Sequence, residues 1–291
     1  MREGRILVAG ATGRVGSAAV RHLLEAGLEV RALVRGAAGK GEPLRGEPLR
    51  ALGAEVRLGD VMRPETLAPA LEGCAGVFSA LSSSTDREAE AVEYRGNVNL
   101  LSAARKAGAR RFVYSSALLA DHPLARRVGT FREKARFEEV LLGAGDVSAT
   151  VLRPAMFMET LLMALGGPLA FVPGRQRLPV RWISADDAAR AAARAFERDI
   201  TGRHELAGPE TATFDEAYRL LSRARGGRII VLHPPLFAMR LAGRFSAPVR
   251  ELAGMFALFD AAGYAADPAP LRDVFGVEAL AIEEWAGRVS G

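Results

Sequence analysis

A glycine-rich turn near the amino terminus restricts the possible folds of this chain more than any other feature. The sequence Gly10-Ala-Thr-Gly13-Arg-Val-Gly16 follows the apolar run Arg5–Ala9 and precedes a segment with helical spacing. Strand, glycine turn and helix together indicate a nucleotide site, because the free N–H groups of the first helical turn point at phosphates. Gly10 permits the tight turn, Gly13 leaves room for a diphosphate, and Gly16 lets helix and strand pack closely. The predicted cofactor-binding residues of this turn are Gly10, Thr12, Gly13, Arg14, Val15 and Gly16.

The end of the second predicted strand indicates which dinucleotide the turn would hold. That strand covers Glu29–Val34, and Arg35 follows it. A site for NAD usually has an acidic residue here, about 20 residues past the glycines. Arg35 and Arg14 instead suit the 2′-phosphate of NADP, because arginine pairs bidentately with phosphate. The alternative is that both are solvated arginines of an arginine-rich chain, and we predict NADP(H) in preference to NAD(H).

Composition and charge argue against several other classes of protein. The chain has 291 residues, 49% of them hydrophobic, which is enough for one large or two small domains. Its single cysteine, Cys74, excludes a disulfide framework, and its four scattered histidines lack the spacing of metal ligands, so we predict no metal site. The net charge is +5, but the basic residues are dispersed, so nucleic acid is not expected as the main partner.

Two features of the chain bear on its location. No uncharged apolar run approaches the roughly 18 residues needed to cross a bilayer. The first predicted strand begins close to the first residue, which leaves no room for a signal peptide. We therefore predict a cytoplasmic protein with no membrane partner.

Short apolar runs alternate with helical segments through the first half of the chain. Six runs are predicted strands, and they cover residues 5–9, 29–34, 54–58, 76–81, 111–116 and 148–153. The alternation predicts an α/β fold: a doubly wound parallel Rossmann sheet with a smaller carboxyl-terminal region that caps the substrate. We predict a NAD(P)-binding domain over residues 1–155. Residues 156–291 would form a mostly substrate-side α/β region, of which about 179–200 returns to the Rossmann sheet.

The carboxyl ends of the predicted strands meet at one edge of the sheet, where such folds bind ligands. Cofactor contacts are expected there from Asp60, Val61, Ala80, Leu81, Ser115, Pro154, Met156 and Phe157. Asp60 would bond the adenine amino group or serve as an ordinary turn residue. Met156 and Phe157, with Met158 and Met163, either line an apolar substrate pocket or fill the core.

Several short motifs occur in a fixed order along the chain. They are Gly10–Gly16, Val30–Arg35, Gly59-Asp60, Asn97–Leu101, Phe112–Ser116, Lys134 with Glu138, Leu152–Glu159, Ile183–Ala188 and Leu206–Glu210. Over nearly its whole length the chain thereby resembles the NmrA-like family of atypical short-chain dehydrogenase/reductases. The resemblance implies NAD(P)H binding, with the smaller carboxyl-terminal region over the nicotinamide end. The family includes reductases of quinones and of unsaturated or aromatic compounds, and also redox sensors that bind the cofactor without turning it over.

The resemblance also implies catalytic positions, and here the chain departs from the wider superfamily. Its members place a proton-donating tyrosine four residues before a lysine, with a serine assisting. This chain has Lys134, but Thr130 occupies the position of the tyrosine. A threonine hydroxyl is too weak an acid to replace a phenol of pKa about 10. We expect Lys134 to bond the nicotinamide ribose and to add positive charge, in both a catalytic and a cofactor-binding role.

Other polar side chains near the fifth strand are weaker candidates. Ser115 and Ser116 line the nicotinamide pocket or merely cap the strand end, and Ser116 is the second candidate catalytic residue. His122 follows in the next loop, where it would protonate a substrate near neutral pH or be an ordinary loop histidine. Tyr114 alternates onto a face of the strand, and we predict that it packs in the core.

Two classes of function stay open. The first is an NADPH-dependent reductase of a small apolar carbonyl, quinone or enone, which the motif Arg153–Glu159 favours. The second is a non-catalytic NADP(H)-sensing regulator with a protein partner, which Thr130 favours. Apolar residues over 236–262 would cap an apolar substrate or form the face of a homodimer.

Overall fold

Seven parallel strands form the central sheet within the part of the chain that the structure describes. The computed structural model describes residues 4–36, 46–83, 85–263 and 266–290. The strands, including those of two smaller sheets, are β1 (Arg5–Ala9), β2 (Val30–Val34), β3 (Glu55–Leu58), β4 (Cys74–Ser79), β5 (Arg111–Ser115), β6 (Ser148–Pro154), β7 (Met156–Phe157), β8 (Leu165–Gly166), β9 (Leu169–Phe171), β10 (Val180–Ile183), β11 (Gly202–Leu206), β12 (Thr211–Ala212) and β13 (Ile230–Leu232). The central sheet has the order β3-β2-β1-β4-β5-β6-β11, with every pairing parallel. The predicted doubly wound Rossmann fold is confirmed.

Helices cover both faces of this sheet. They are α1 (Arg14–Glu25), α2 (Glu47–Ala51), α3 (Leu67–Leu71), α4 (Asp86–Ala89), α5 (Asn97–Lys106), α6 (Gly129–Leu142), α7 (Glu159–Met163), α8 (Ala185–Glu197), α9 (Phe214–Arg225), α10 (Leu236–Ala242), α11 (Ala247–Ala262), α12 (Ala269–Asp273) and α13 (Ile282–Ser290). In β1, Ile6 and Val8 join one apolar cluster with α1 and α8. Leu7 and Ala9 join the other cluster, with α3, α5 and α6. Burial of both faces explains why these strands are continuous apolar runs.

The segment over about 179–200 was predicted to return to the central sheet. Its helix, α8, packs on that sheet, but its strand, β10, does not join it. Helix α8 packs against α1, β5 and β6. Strand β10 belongs to a small sheet, parallel to β7 and antiparallel to β12. Its Trp182 is fully buried there and donates a hydrogen bond to the Ala212 carbonyl oxygen at 3.0 Å. On the side away from β5, strand β6 pairs with β11. The division at residue 155 stays a prediction.

The helical segment between β4 and β5 consists of three consecutive pieces. A π-helix, Glu90–Gly96, lies between α4 and α5. The side chain of Asn97 fixes this segment to the sheet, since its amide donates to the Glu93 carbonyl oxygen at 2.8 Å and accepts from Ser79 Oγ at 2.6 Å. π-Helical turns are rare and are frequent at functional sites, and this one places Glu93 in the protein interior.

The carboxyl-terminal region adds two small sheets and helices α9 to α13. Thr213 caps α9: its Oγ1 accepts from the Glu216 N–H at 3.3 Å, and the Glu216 carboxylate accepts from the Thr213 N–H at 2.8 Å. Helix α9 packs on α13. Among the described helices, none combines the length and the apolar character that a membrane span requires.

Candidate cofactor-binding and active site

The glycine turn has the geometry of a phosphate cradle. Gly10 adopts a φ of +76°, and a Cβ there would overlap the Ala80 carbonyl oxygen. A Cβ on Gly16 would overlap the backbone of Gly10, so this residue must be small for α1 to approach β1. The first bond of α1 runs from the Ser17 N–H to the Gly13 carbonyl oxygen at 2.8 Å. The N–H groups of the preceding first turn therefore have no acceptor within the helix and face outward.

Gly13 differs from the other two glycines in what surrounds it. Within 4 Å of its ideal Cβ position lies only the Gly10 carbonyl oxygen, at 3.2 Å, and its φ of −81° suits any residue. A side chain at this position therefore requires the Gly10 carbonyl oxygen to shift by a few tenths of an ångström, and it would occupy the space in front of the helix. Thr12, Gly13 and Arg14 are exposed. The turn therefore fits a dinucleotide diphosphate held by N–H groups and by the helix dipole.

The two arginines proposed for the 2′-phosphate lie in different surroundings. Arg35 is exposed at the carboxyl end of β2. The guanidinium of Arg14 lies against Met163 Sδ, with Nη1 at 2.9 Å. Met163 belongs to α7, which follows β6, whereas β2 lies on the other side of β1 in the sheet. Arg14 therefore points toward the β6 half of the cleft, and Arg35 is left as the better candidate for cofactor choice.

We expect Arg35→Ala to weaken NADPH binding far more than NADH binding. Only NADPH carries the 2′-phosphate, and a hydrogen bond to a charged group contributes about 1.5–3 kcal/mol, or roughly 10- to 150-fold in affinity. Calorimetric titration with both cofactors measures the difference. Arg57→Ala is the matched control, because Arg57 lies on the neighbouring strand and pairs with Glu55 at 2.6 Å. Equal losses for NADPH and NADH would show that Arg35 does not discriminate between them.

Asp60 and Val61 shape the loop after β3. The Asp60 carboxylate accepts from the Met62 N–H at 2.9 Å, and its own N–H donates to Thr66 Oγ1 at 2.9 Å. Val61 is buried against Gly96, where a Cβ would come within 2.8 Å of Val61 Cγ2. Asp60 is thus engaged as a turn residue, and its predicted contact with adenine stays a prediction. Ala80 and Leu81, at the end of β4, are half-buried beside Gly10.

Lys134 is a buried cation with a dedicated partner. Its Nζ lies 2.9 Å from Glu93 Oε2 and donates to the Ser115 carbonyl oxygen at 3.2 Å. It also lies 5.4 Å from the centroid of the Tyr114 ring. The Lys134 side chain is 9% exposed and that of Glu93 is fully buried. The positive charge expected at this site is therefore balanced by a carboxylate that the sequence analysis missed.

Glu93 links Lys134 to the residue in the usual position of the acid. Its Oε1 accepts from the Ser83 N–H at 2.9 Å and from Ser83 Oγ at 3.3 Å. Ser83 Oγ in turn lies 3.5 Å from Thr130 Oγ1. A line of polar groups thus runs from Thr130 to the ammonium. The only sequence signal for it was an acidic residue four positions before Asn97, and a π-helix was needed to direct it inward.

Tyr114 packs in the core, as predicted. It is fully buried and lies edge-on to Phe137, with ring centroids 4.8 Å apart. Burial raises the pKa of its phenol well above the usual value. It therefore does not replace the missing tyrosine as a proton donor near neutral pH.

Ser116 lies in a second buried polar cluster. Its Oγ donates to Glu138, whose carboxylate also accepts from Arg153, with Nη2 at 2.6 Å. Arg203 approaches the same carboxylate, with Nε at 3.0 Å, and Arg153 Nη1 reaches Asp121 at 2.8 Å. The structure thus places Ser116 as a partner of an arginine–carboxylate cluster that joins β5, α6, β6 and β11. The catalytic role of Ser116 stays a prediction, as does the cofactor contact of Ser115, whose carbonyl oxygen accepts from Lys134.

Removal of the central carboxylate should destabilise the fold strongly. Glu138 is fully buried, and Glu138→Leu leaves Arg153 in the interior without its main counterion. We expect a loss of about 3–5 kcal/mol in the free energy of unfolding, measured by denaturant titration. The neighbouring Glu139→Gln is the control, since Glu139 is 78% exposed in its pair with Arg203 and should cost less than about 1 kcal/mol. Similar losses for both variants would contradict this account of the cluster.

The segment after β6 mixes core and cleft residues. Pro154 and Met156 are buried, as is Met158, whereas Phe157 is half-buried and Met163 is 65% exposed. Met156 and Met158 belong to the buried apolar cluster, whereas Phe157 and Met163 are accessible to a ligand in the cleft. Their contacts with a cofactor or substrate stay predictions.

The last residue of this motif has a structural role. The Glu159 carboxylate accepts from the Ala185 N–H at 3.0 and 3.2 Å, and burial raises its pKa. It thereby satisfies an open donor at the amino terminus of α8. His122 likewise caps a short 3₁₀ helix, Pro123–Arg127, since its Nδ1 accepts from the Leu124 N–H at 3.2 Å. Its role as an acid stays a prediction.

Comparison with known proteins identifies relatives over the full length of the chain. The model of the NmrA-like family matches residues 2–287. Photosystem II assembly factor Ycf39 of Synechocystis sp. is 27% identical over 311 residues, covering 98% of this chain and 91% of that protein. The NAD(P)H azoreductase of Xenophilus azovorans is 32% identical over 222 residues, covering 71% of each.

A solved structure shares the fold. The NADPH-dependent quinone oxidoreductase QOR2 of Escherichia coli, complexed with NADPH, superposes with a TM-score of 0.80 at 23% identity and covers 98% of this chain and 100% of that one. The family match, the shared fold and the glycine turn agree with one another. This chain belongs to the NmrA-like family.

Proposed function

We propose that this protein is an NADPH-dependent reductase of a small apolar carbonyl, quinone or enone. The observation that carries the proposal is the buried ammonium of Lys134, held beside Ser115 at the carboxyl edge of the sheet that also carries the glycine turn. Relatives with reductase names support it, namely the NAD(P)H azoreductase and, at the level of fold, the quinone oxidoreductase. We also infer a cytoplasmic location.

The residues divide the work of binding between them. The N–H groups that follow Gly13 would hold the diphosphate, and Arg35 would hold the 2′-phosphate. An ammonium has three N–H donors. The Ser115 carbonyl oxygen accepts from the Lys134 ammonium, and Glu93 Oε2 lies 2.9 Å from the same Nζ as its counterion. A further donor of this ammonium would bind a ribose hydroxyl. When bound, the cofactor supplies the hydride.

The proton for the reduced product does not need a phenol. Thr130 holds its hydroxyl 3.5 Å from Ser83 Oγ, where it orients neighbouring groups but is too weakly acidic to act as the general acid. A quinone is reduced to a stable anion that takes its proton from water. This chemistry tolerates the threonine, and it favours quinones over simple ketones as substrates.

A second candidate function rests on the ion pair between Lys134 and Glu93. Glu93 neutralises the charge of Lys134, and Thr130 supplies no acid, so the site would bind NADPH without turning it over. The protein would then be a cofactor-sensing regulator that binds a protein partner. The similarity to a photosystem II assembly factor, which covers 98% of this chain, favours this candidate.

Cofactor oxidation by the purified protein distinguishes the two candidates. NADPH consumption is measured with a panel of quinones, enones and azo dyes, and Gly13→Val is the control for cofactor binding. We expect turnover with a quinone in the native protein and none in the control. Tight NADPH binding without turnover on any acceptor would reject the reductase and leave the regulator.

A further inference from the structure

The turn between α10 and α11 exposes large apolar side chains to solvent. We call residues 236–250 the hairpin tip. Phe237, Leu241 and Phe245 occur at intervals of four residues in it and are 73%, 56% and 90% exposed. Within α10 no described residue is buried. Exposed aromatic side chains in one patch usually mark a surface that another phase or molecule covers.

The chain segment that forms this patch is rich in arginine and lacks acidic residues. Between Glu216 and Glu251 the sequence contains no aspartate or glutamate, whereas it contains seven arginines. Within the hairpin tip, Arg240, Arg244 and Arg250 are exposed. Arg240 lies in α10 together with Phe237 and Leu241, whereas Arg244 and Phe245 lie next to each other in the turn that follows the helix.

A cavity of about 720 Å³ adjoins the hairpin tip. Arg127, Arg240 and Arg250 contribute to its wall, together with a single carboxylate, Glu251. Apolar residues complete its lining, among them Leu124 and Leu258. The cavity thus combines cationic and apolar lining residues, which suit the phosphate and the upper acyl chain of an anionic lipid.

We propose that the hairpin tip binds the surface of an anionic phospholipid bilayer. The phenylalanines would enter the interface between head groups and acyl chains, and the arginines would contact lipid phosphates. A symmetric dimer through this face would bring the arginines of two copies together, and like charges oppose that arrangement. We expected no membrane partner because the sequence contains no uncharged apolar run long enough to cross a bilayer. Binding at the surface of a bilayer does not require such a run. The proposal does not depend on the reductase activity.

Vesicle sedimentation with the full-length protein tests this inference. We expect the protein to bind vesicles of phosphatidylcholine mixed with phosphatidylglycerol and not to bind vesicles of phosphatidylcholine alone. The bound protein should dissociate as the salt concentration is raised. The double variant Arg240→Gln/Arg244→Gln should bind roughly 25-fold more weakly, because each arginine near an anionic surface contributes a factor of about 5. Phe237→Ser/Phe245→Ser should also lose binding.

Matched variants elsewhere separate the hairpin tip from general charge and hydrophobicity. Leu52→Ser removes another exposed apolar side chain (46% exposed), and Arg57→Gln/Arg63→Gln removes two other exposed arginines. Both should bind vesicles as the native protein does, and all variants should retain NADPH affinity. Equal binding to neutral vesicles, equal losses in the controls, or no vesicle binding would each overturn the proposal. If sedimentation equilibrium showed a dimer that the phenylalanine variant abolishes, the partner of the hairpin tip would be a second copy of this chain and the lipid proposal would be wrong. If the protein bound immobilised polyglutamate but no vesicles, the partner would be an acidic protein and the lipid proposal would again be wrong.

Discussion

Gly13→Val should abolish NADPH binding while the protein stays folded. The φ of Gly13 is −81°, and its Cβ would meet only the Gly10 carbonyl oxygen, at 3.2 Å. The valine side chain would therefore need only a small shift of the Gly10 carbonyl oxygen, but it would fill the space of the diphosphate in front of α1. Calorimetric titration measures the affinity, and thermal unfolding confirms the fold. An unchanged NADPH affinity would remove the basis for a cofactor site at this turn.

Two other glycines give the controls for this experiment. Gly145 is exposed with no atom near its Cβ position, so Gly145→Val should change neither folding nor binding. Gly16→Val should prevent folding, because its Cβ overlaps the Gly10 backbone. The three variants thus separate a glycine kept for a ligand from one kept for packing.

Lys134→Ala should reduce turnover by about 10²–10³-fold, the loss typical of one charged or polar group removed from a reacting centre. Thr130→Ala should change turnover by only a few-fold, because threonine does not supply the proton. Steady-state kinetics with an active quinone measures both variants. The reverse order of effects would show that the proton passes through Thr130.

The effect of Lys134→Ala on turnover must be separated from its effect on stability, because Lys134 forms a buried ion pair with Glu93. Lys134→Ala leaves the carboxylate of Glu93 buried without a cation, which should cost about 3–5 kcal/mol of stability. The double variant Glu93→Gln/Lys134→Met removes both charges and keeps an oxygen for Ser83. We expect it to regain stability but not turnover. Recovery of both would mean that the ammonium serves the fold alone.

The fold was predictable where sequence patterns reflect burial. The inner strands of the central sheet, such as β1 and β4, lie between two helical layers, so their sequences are mostly apolar and can be recognised locally. The strand β11 has the polar sequence Gly-Arg-His-Glu-Leu, because it lies at the edge of the sheet with its residues partly exposed. Strand β10 carries Trp182 and two branched apolar residues, but it serves a separate small sheet. Local pattern alone does not tell which sheet a strand joins.

The candidate site was predictable from backbone requirements more than from side-chain chemistry. The roles of the glycines follow from the turn, and Lys134 follows from a family motif. The partner of Lys134, Glu93, could not be predicted in this way. Its side chain reaches the interior because its backbone forms a π-helix, and helical periodicity in the sequence does not reveal a π-helix. In the same way, Ser116 and Glu159 carry the expected motif but point at Glu138 and at the first turn of α8.

The order of strands in the sheet has a consequence for how the chain is made. Strand β6 finds its outer neighbour only in β11, about 50 residues later, and one face of β5 and β6 is covered by α8. A nascent chain that has emerged only to residue 155 therefore presents an unpaired edge and an uncovered apolar face, both of which favour aggregation. We expect the cofactor-binding half to become soluble only after residue 206 has left the ribosome. The cofactor-binding half therefore completes its folding only after much of the substrate-side half has been synthesised.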